Sequence, residues 1–309
     1  MDTIDAMRAF VAVAKEGSFT AAARRLGKST KLISNHVAWL EGQHDVQLFN
    51  RTTRSVMLTD AGRDYLLRCE PILDQVDELS DLAQKKRREL RGPIRMTAPT
   101  SFGSQRLPAA LAAFMHLHSS VEVELILNDS HVALVEEGYD LAVRIGTPTD
   151  STLMMKRLCP MPLITCAAPE YLARSGVPAE PADLAAHSCL LGKYFNVLSD
   201  WTYQKSDKVQ SVRVSGRLMS NSPSAGAALA AQGIGIARLP LYVVQPYLKD
   251  GRLVHLLPDY EAKEYGVMAL YPANRHLTAR VRALIDHLAD YFGPGGAGRI
   301  TLDEVATAE

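Results

Sequence analysis

The fold of this chain is decided by one stretch near the amino terminus, Gly17-Ser-Phe-Thr-Ala-Ala-Ala-Arg-Arg-Leu-Gly-Lys-Ser-Thr-Lys-Leu-Ile-Ser-Asn-His-Val-Ala-Trp-Leu-Glu41. Gly17 and Gly27 suit the left-handed position that follows a helix. Ser18, and then Ser29 or Thr30, suit the position that caps the next helix. The stretch therefore predicts two short helices joined by a tight turn, the second reaching about residue 41, which is the helix-turn-helix arrangement.

The helices of this region are amphipathic. A first helix precedes the stretch, with apolar residues at helical spacing: Ile4, Met7, Phe10, Val11 and Ala14. In the third helix, 100° per residue places Ile33, Val37 and Leu40 on one side, which should face the other two helices. The opposite side carries small, hydrogen-bonding and basic residues: Thr30, Lys31, Ser34, Asn35 and Ala38. Such residues can enter a major groove, although an ordinary solvated helix face is the alternative.

Two short strand-like runs follow, at residues 46–51 and 55–58, and they predict a basic hairpin, or wing. Arg51 and Arg54 would then meet phosphates or the minor groove. The net charge of the whole chain is zero, but residues 20–58 hold six Lys or Arg against two acidic residues, an excess of four. This local positive charge is typical of a nucleic-acid contact surface.

At this point the sequence resembles the LysR-type transcriptional regulators. The residues that carry the resemblance are Phe10, Gly17-Ser18-Phe19, Ala21-Ala22, Leu26, Ser29, Ser34, Leu40-Glu41, Leu48-Phe49, Arg51-Thr52-Thr53-Arg54, Leu58-Thr59 and Ala61-Gly62. One position departs from the pattern, because many members have a basic or longer polar residue where this chain has Asn35. Since Asn can bind adenine through two hydrogen bonds, we expect Asn35 to affect the preferred DNA sequence.

A long helix should follow, capped by Thr59 with Asp60 in its first turn. Apolar residues recur at alternating three- and four-residue intervals: Leu66, Cys69, Leu73, Val76, Leu79 and Ala83. Such a seam suits a partner helix, and Pro71 should kink it. The resemblance implies that this helix joins two subunits, whereas packing on its own domain is the alternative. The basic run at 85–88 and then Gly92-Pro93 mark a domain boundary.

The remaining residues alternate between strands and helices, which indicates mostly parallel α/β sheets. Strands are expected at 94–98, 121–127, 141–145, 163–167, near 189, and at 209–214, 217–219 and 265–271. Helices are expected at 106–116, 131–138, 181–186, 223–232 and 277–292. Two lobes joined by crossing strands resemble the periplasmic-binding-protein fold, which is the regulatory domain of the family.

The predicted organisation is α+β and multidomain. It comprises a winged helix-turn-helix at 1–59, a linker (dimerisation) helix at 60–91, an effector-binding domain of two α/β lobes at 92–293 and a flexible tail at 294–309.

Candidate effector residues follow the predicted strands, because ligands of open α/β sheets bind at the carboxyl ends of strands. They are Thr100, Ser101 and Phe102 after the first strand, Asn128 after the second, Arg144 and Gly146 in the third, and Asn221 before a helix. The resemblance adds Tyr203 and Met268. For each residue alone, capping or packing is the alternative. Together they indicate a small polar effector, for which a carboxylate is one candidate.

Other classes of protein are excluded or disfavoured. Gly233-Ile-Gly235 lacks the third glycine of a dinucleotide fingerprint, and no motif of a hydrolase, P-loop or zinc site occurs, so we expect no enzyme, cofactor or metal. The four cysteines should be buried thiols, with a redox pair of Cys159 and Cys166 as the alternative. No apolar run is long enough for a membrane span, so a cytoplasmic location is expected.

The expected partners follow from the resemblance. They are double-stranded promoter or operator DNA, a small effector, further copies of the chain in a dimer and then a tetramer, and RNA polymerase if the protein is an activator. We therefore expect a sequence-specific DNA-binding regulator whose DNA binding or activation is modulated by a small molecule.

Overall fold

The computed structural model describes residues 1–51, 56–83, 90–130, 133–146, 153–192, 199–206, 208–262, 265–273 and 277–300, without the side chains at 51, 77–83 and 261–262. The chain forms two compact units, Met1–Arg88 and Glu89–Glu309. Each unit has its own hydrophobic core.

The amino-terminal unit consists of four helices and a hairpin. In chain order they are α1 (Thr3–Glu16), α2 (Phe19–Leu26), α3 (Thr30–His44), β1 (Phe49–Arg51), β2 (Val56–Leu58) and α4 (Asp60–Ala83). The two strands pair antiparallel, with Phe49 opposite Leu58. The predicted helix-turn-helix and its hairpin are therefore present.

The turns between the helices form as the sequence predicts. Gly17 (φ 60°) and Gly27 (φ 62°) end α1 and α2 in the left-handed conformation. The Ser18 side chain accepts a hydrogen bond from the Ala21 amide, and Ser29, rather than Thr30, caps α3 through the Leu32 amide. Helix α3 runs to His44, almost one turn beyond the predicted end.

The core of this unit lies between α1, α2 and α3. Ile33, Val37 and Leu40 are fully buried, which confirms the predicted inner face of α3. The Phe10 ring lies 5.2 Å from that of Phe49, so the hairpin packs on the same core as α1. Burial of such side chains contributes roughly 1.5–3 kcal/mol each.

Helix α4 packs on its own unit over its first half, which corrects part of the predicted seam. Cys69 and Leu73 are buried in the amino-terminal core, and Leu66 packs against it. Lys15 of α1 and Glu70 of α4 form an ion pair of 2.7 Å at the same contact. These three apolar side chains therefore pack within their own subunit. The side chains of Leu79 and Ala83 and the basic run at 85–88 lie outside the described residues.

The carboxy-terminal unit contains two five-stranded sheets with helices beside them. Its helices are α5 (Thr100–Gln105), α6 (Leu107–Leu117), α7 (Pro169–Ser175), α8 (Pro223–Ala231), α9 (Leu241–Lys249) and α10 (Ala279–Phe292), with a 3-10 helix at Pro181–Ala186. Its strands are β3 (Arg91–Ala98), β4 (Ser120–Leu127), β5 (Leu141–Gly146), β6 (Leu153–Met161), β7 (Leu163–Ala167), β8 (Ser188–Gly192), β9 (Asp200–Lys205), β10 (Lys208–Arg213), β11 (Ser215–Ser220), β12 (Ile236–Pro240), β13 (Val254–Leu256), β14 (Glu261–Ala262) and β15 (Tyr265–Pro272).

These strands form two lobes. Lobe 1 has the order β4-β3-β5-β15-β6 and lobe 2 the order β11-β8-β12-β7-β13, with a small sheet β10-β9-β14 beside it. The chain crosses from lobe 1 to lobe 2 at Pro162, between β6 and β7, and returns before β15. Both large sheets are mixed rather than mostly parallel, because β15 and β7 run antiparallel to their neighbours.

One predicted helix is absent among the described residues, and another is formed but is preceded by an unpredicted helix. The helix expected at 131–138 is a turn over residues 134–138, closed by a bond of 2.9 Å from the Tyr139 amide to the Leu134 carbonyl. The helix expected at 106–116 is α6 (Leu107–Leu117), and a short helix that was not predicted, α5 (Thr100–Gln105), precedes it and meets it at Arg106. Pro108 cannot donate a backbone hydrogen bond, so it suits the first turn of α6.

The end of the chain is partly folded. A flexible tail was expected from residue 294, but Ile300 is only 7% exposed and belongs to the lobe core. The Gly298 amide donates to the Tyr291 carbonyl, and Arg106 Nη2 donates to the Gly298 carbonyl at 2.8 Å. Burial of one apolar side chain and these two bonds explain the difference. Residues 301–309 lie outside the description.

Two further expectations concern membranes and thiols. Within the described residues, no helix combines the length and hydrophobicity that crossing a bilayer requires. All four cysteines are buried and none forms a disulfide, in agreement with the expectation. Burial raises the pKa of Cys166 to about 12, so its thiol is a poor nucleophile.

We predict that Ile300→Ala destabilises the carboxy-terminal unit by about 2–4 kcal/mol, because it leaves a cavity in the lobe core. Thermal unfolding of the full chain should show a lower midpoint for that unit. Arg299→Ala is the control, since Arg299 is exposed. Equal midpoints for the two variants would contradict the packing of the carboxyl end.

Candidate nucleic-acid interface and effector cleft

The outer face of α3 presents the predicted polar residues. Thr30, Lys31 and Asn35 are exposed and Ser34 is half-buried, on the side opposite the buried Ile33. Ala38 continues this exposed face by one turn. The structure therefore gathers four of the six predicted DNA contacts on one convex surface. Its residues are donors and acceptors that fit base edges and phosphates.

The positive charge of this unit is smaller than the sequence count indicates. Arg25 pairs with Glu16 at 2.8 Å, and Lys28 pairs with Asp5 at 3.1 Å. Arg24 and Lys31 make no ion pair within the described part of the chain. The Arg51 side chain and all of Arg54 lie outside it, so the wing contribution stays a prediction.

Glu41 connects α3 to the wing, and sequence analysis assigned it no role. Its Oε1 accepts hydrogen bonds from the Leu48 amide at 2.9 Å and the Phe49 amide at 3.3 Å. Charge-assisted bonds of this kind are about twice as strong as neutral ones. At the other end of the hairpin, Thr59 Oγ1 donates to the Gln47 carbonyl at 2.8 Å and accepts from the Gly62 amide at 2.9 Å. These bonds hold the wing in one position relative to α3.

The second site follows from the strand order of lobe 1. The chain leaves β3 for β4 on one side and then passes to β5 on the other side. This reversal is a topological switch point, where a crevice opens beyond the carboxyl ends of the strands. Thr100, Asn128 and Gly146 stand at those ends, so the structure brings them to one edge of the sheet.

Groups of the chain itself satisfy two of the polar atoms at this edge. The Thr100 amide donates to Asp129 Oδ1 at 2.9 Å, and the Ser130 amide donates to Asn128 Oδ1 at 2.8 Å. Thr100 is exposed and Asn128 is half-buried. Asp129 was not predicted as a site residue, although its place after β4 could have indicated it.

Arg144 is the predicted effector residue that carries a positive charge. Its Nη1 donates to the Val143 carbonyl at 2.9 Å, and its Nη2 lies 3.4 Å from Thr97 Oγ1. Burial lowers the pKa of the Arg144 guanidinium, while the nearby Asp129, Tyr139 and Glu137 oppose that change. Arg144 still remains charged, because arginine is not deprotonated in proteins.

Two predicted residues lie beside Arg144 in the sheet. Met268 of β15 pairs with Arg144 across the antiparallel register and is half-buried. Gly146 ends β5 at a φ of 133°, a conformation that favours glycine, and pairs with Gly266.

Three predicted effector residues are buried, which leaves no surface for a ligand. Phe102 is fully buried against Tyr242 and Phe292. Ser101 is 4% exposed and shares a hydrogen bond of 2.8 Å with the Tyr242 hydroxyl. These two side chains therefore hold α5 against α9.

Tyr203 is the third buried residue, and it lies in lobe 2. Its hydroxyl shares a hydrogen bond of 2.8 Å with Thr165 Oγ1, and the Arg238 guanidinium stacks 4.9 Å from its ring. Burial raises the pKa of Tyr203 to about 12, while the Thr165 bond and the charge of Arg238 oppose that change.

Lobe 2 approaches the cleft through α8. Gln105 Nε2 of α5 donates to Ser224 Oγ in the first turn of α8 at 3.0 Å. The predicted Asn221 is exposed just before this helix, and Ser222 caps it by accepting from the Ala225 amide. The contact between α5 and α8 places the start of α8 across the crevice from lobe 1.

Comparison with known families covers nearly the whole chain. The family described as "LysR substrate binding domain" matches residues 87–293, and "Bacterial regulatory helix-turn-helix protein, lysR family" matches residues 4–63. The chain is 36% identical over 285 residues to the HTH-type transcriptional regulator PtxR of Pseudomonas aeruginosa, covering 92% of this chain and 91% of that one. It is 34% identical over 295 residues to the HTH-type transcriptional activator AaeR of Escherichia coli, covering 94% of each.

Solved structures agree with this likeness. CrgA, a LysR-type transcriptional regulator from Neisseria meningitidis, is 27% identical and superposes with a TM-score of 0.60, covering 94% of this chain and 99% of that chain. A full-length OxyR variant from Pseudomonas aeruginosa is 20% identical with a TM-score of 0.63, covering 94% of each chain, and so shows the same fold.

We predict that Asn35→Ala relaxes the sequence preference by about 1–3 kcal/mol at one base pair, because one side-chain contact to a base is lost. Selection of bound DNA from a random pool should show the change at a single position. Gln43→Ala, which removes an exposed amide from the far end of α3, should leave the preference unchanged. Arg54→Ala should weaken all sequences alike. A uniform loss for Asn35→Ala would exclude base contact by Asn35.

We also predict that Glu41→Ala lowers the stability of the amino-terminal unit by about 1.5–3 kcal/mol, because two amides lose a charged acceptor. Hydrogen–deuterium exchange at the Leu48 and Phe49 amides should accelerate. Glu16→Ala is the control, because its ion pair with Arg25 is at the surface and contributes about 0–1 kcal/mol. Unchanged exchange in Glu41→Ala would refute this anchoring.

Proposed function

Since the chain belongs to the LysR family of bacterial transcriptional regulators, we propose a mechanism in which α3 binds operator DNA and the lobe cleft senses a small polar effector. The protein is a sequence-specific DNA-binding regulator, and an effector-binding domain modulates its action. It is not an enzyme, because the families and relatives that it matches are transcriptional regulators.

In this mechanism Thr30, Lys31, Ser34 and Asn35 enter the major groove. The observation that supports this assignment is their common exposure on the face of α3 opposite the buried core. Arg51 and Arg54 bind phosphates or the minor groove from the wing. The anchoring bonds of Glu41 support a wing that acts together with α3.

Two subunits associate along the linker, residues 60–91, of which α4 (Asp60–Ala83) is the described helix. The first half of α4 packs on the amino-terminal unit of its own subunit, so the contact between subunits uses other residues of α4. Ile72, which is 42% exposed on α4, is one of them. A dimer places two α3 helices on half-sites one or more helical turns apart. Two dimers then join through their effector domains, residues 92–293, into a tetramer.

The effector binds between the lobes. Thr100, Asn128, Arg144, Gly146 and Met268 form the lobe 1 side, and Asn221 lies on the lobe 2 side. The observation that carries this assignment is the Gln105–Ser224 bond, which joins α5 to α8 beside the switch point. Effector binding changes how the two lobes pack. It thereby alters the half-site spacing or the DNA bend that the paired amino-terminal units prefer.

The protein works in the cytoplasm, where its DNA target lies. Contact with RNA polymerase completes the mechanism if the protein activates transcription. One relative, AaeR, is named a transcriptional activator, which supports this role.

A gel shift with DNA from upstream of the protein's own gene tests the function. We expect a sequence-specific shift that weakens steeply with salt, since several phosphate contacts release counterions. Sedimentation at micromolar concentration should show a dimer or tetramer. The absence of a specific shift would contradict regulation through DNA. A strict monomer would contradict the proposal that two α3 helices bind two half-sites together.

A further inference from the structure

Asp129 holds an unusual position in the effector cleft. It is the second residue after β4 and is half-buried, and its Oδ1 accepts the hydrogen bond of the Thr100 amide at 2.9 Å. Thr100 in turn follows β3, the central strand of the switch point. A carboxylate of the chain therefore already occupies the carboxyl end of the central strand, which lies within the proposed effector site.

The same carboxylate acts on Arg144. Asp129, together with Tyr139 and Glu137, favours the charged form of the Arg144 guanidinium and so opposes the lowering of its pKa by burial. Two of the five N–H donors of Arg144 bond the Val143 carbonyl and Thr97 Oγ1. The two groups that would attract an external anion, the Thr100 amide and Arg144, thus both interact with Asp129.

We propose that Asp129 fills the anion position of this cleft with its own carboxylate, so that the site selects against effectors that present a carboxylate there. This inference rests on the proposed effector function of the cleft and specifies its ligand. An external carboxylate would meet Asp129 as a like charge close by, which is strongly unfavourable in a partly buried site.

The chemical class of the effector follows from the atoms that remain. Asp129 Oδ2 accepts no hydrogen bond from any residue in the described part of the chain. It can accept one from a ligand hydroxyl, amide or ammonium group. The effector is therefore a small molecule that presents a hydrogen-bond donor to this edge of lobe 1. This proposal differs from the carboxylate that the sequence offered as one candidate.

Acetate is a direct probe of the anion position. The full chain is labelled with ¹³C at the methionine methyl groups, and the Met268 signal is followed because Met268 lies opposite Arg144 in the sheet. Sodium acetate replaces sodium chloride at constant ionic strength. In the wild-type protein we expect no saturable shift of the Met268 signal.

Two variants separate occupancy from charge. Asp129→Ala vacates the position and frees the Thr100 amide, so acetate should bind with an apparent affinity at least about tenfold above that of wild type. Asp129→Asn removes the charge but keeps an acceptor for the amide, so its affinity should lie between the two. Glu136→Gln is the matched control, because it removes one negative charge from the exposed turn nearby and should match wild type.

Each result decides the inference. Saturable acetate binding to wild type, with an affinity similar to that of Asp129→Ala, would overturn it. Absence of binding to Asp129→Ala would overturn it as well, because the vacated position would then attract no anion. An increase in Glu136→Gln equal to that in Asp129→Ala would assign the effect to general charge and also overturn it.

A gel shift with each variant separates this inference from the proposed function. All variants should retain specific DNA binding, which also shows that they fold. Absence of specific binding in the wild type would count against the regulatory function, whereas the acetate result would still decide the role of Asp129.

Discussion

The bonds between one carboxylate, Glu41, and two backbone amides define the geometry of the DNA-binding unit. Glu41 lies near the end of α3, and its acceptors fix Leu48 and Phe49 where the hairpin begins. Phe49 then packs on Phe10, which ties the hairpin to α1. A single side chain therefore links the end of α3 to the start of the hairpin.

Local structure of the amino-terminal unit was predictable because its signals are local. Gly17, Gly27, Ser18 and Ser29 each act on residues within one helical turn, and the 3.6-residue period of Ile33 and its neighbours marks the core directly. The sheets of the second unit were harder. Their order depends on pairing between distant segments, so the antiparallel insertion of β15 between β5 and β6 left no local trace in the sequence.

The candidate effector cleft was likewise predictable from the sequence only in part. Strand ends could be located from the sequence, and Thr100, Asn128 and Gly146 lie at one edge of lobe 1. Orientation could not be foreseen, because Ser101 and Phe102 follow Thr100 immediately yet point into the α5–α9 contact. Asp129 was missed for a related reason, since its partner is a backbone amide 29 residues away in sequence.

The burial of all four thiols gives the protein a surface without reactive native cysteines. Burial raises the pKa of Cys69, Cys166 and Cys189 to about 12, and Cys159 is 3% exposed. The thiolate is the form that reacts with maleimides. Dyes and spin labels could therefore be attached to introduced cysteines without first removing the native ones. Label pairs on α5 and α8 could then measure the separation of the lobes spectroscopically, in the intact regulator and on DNA.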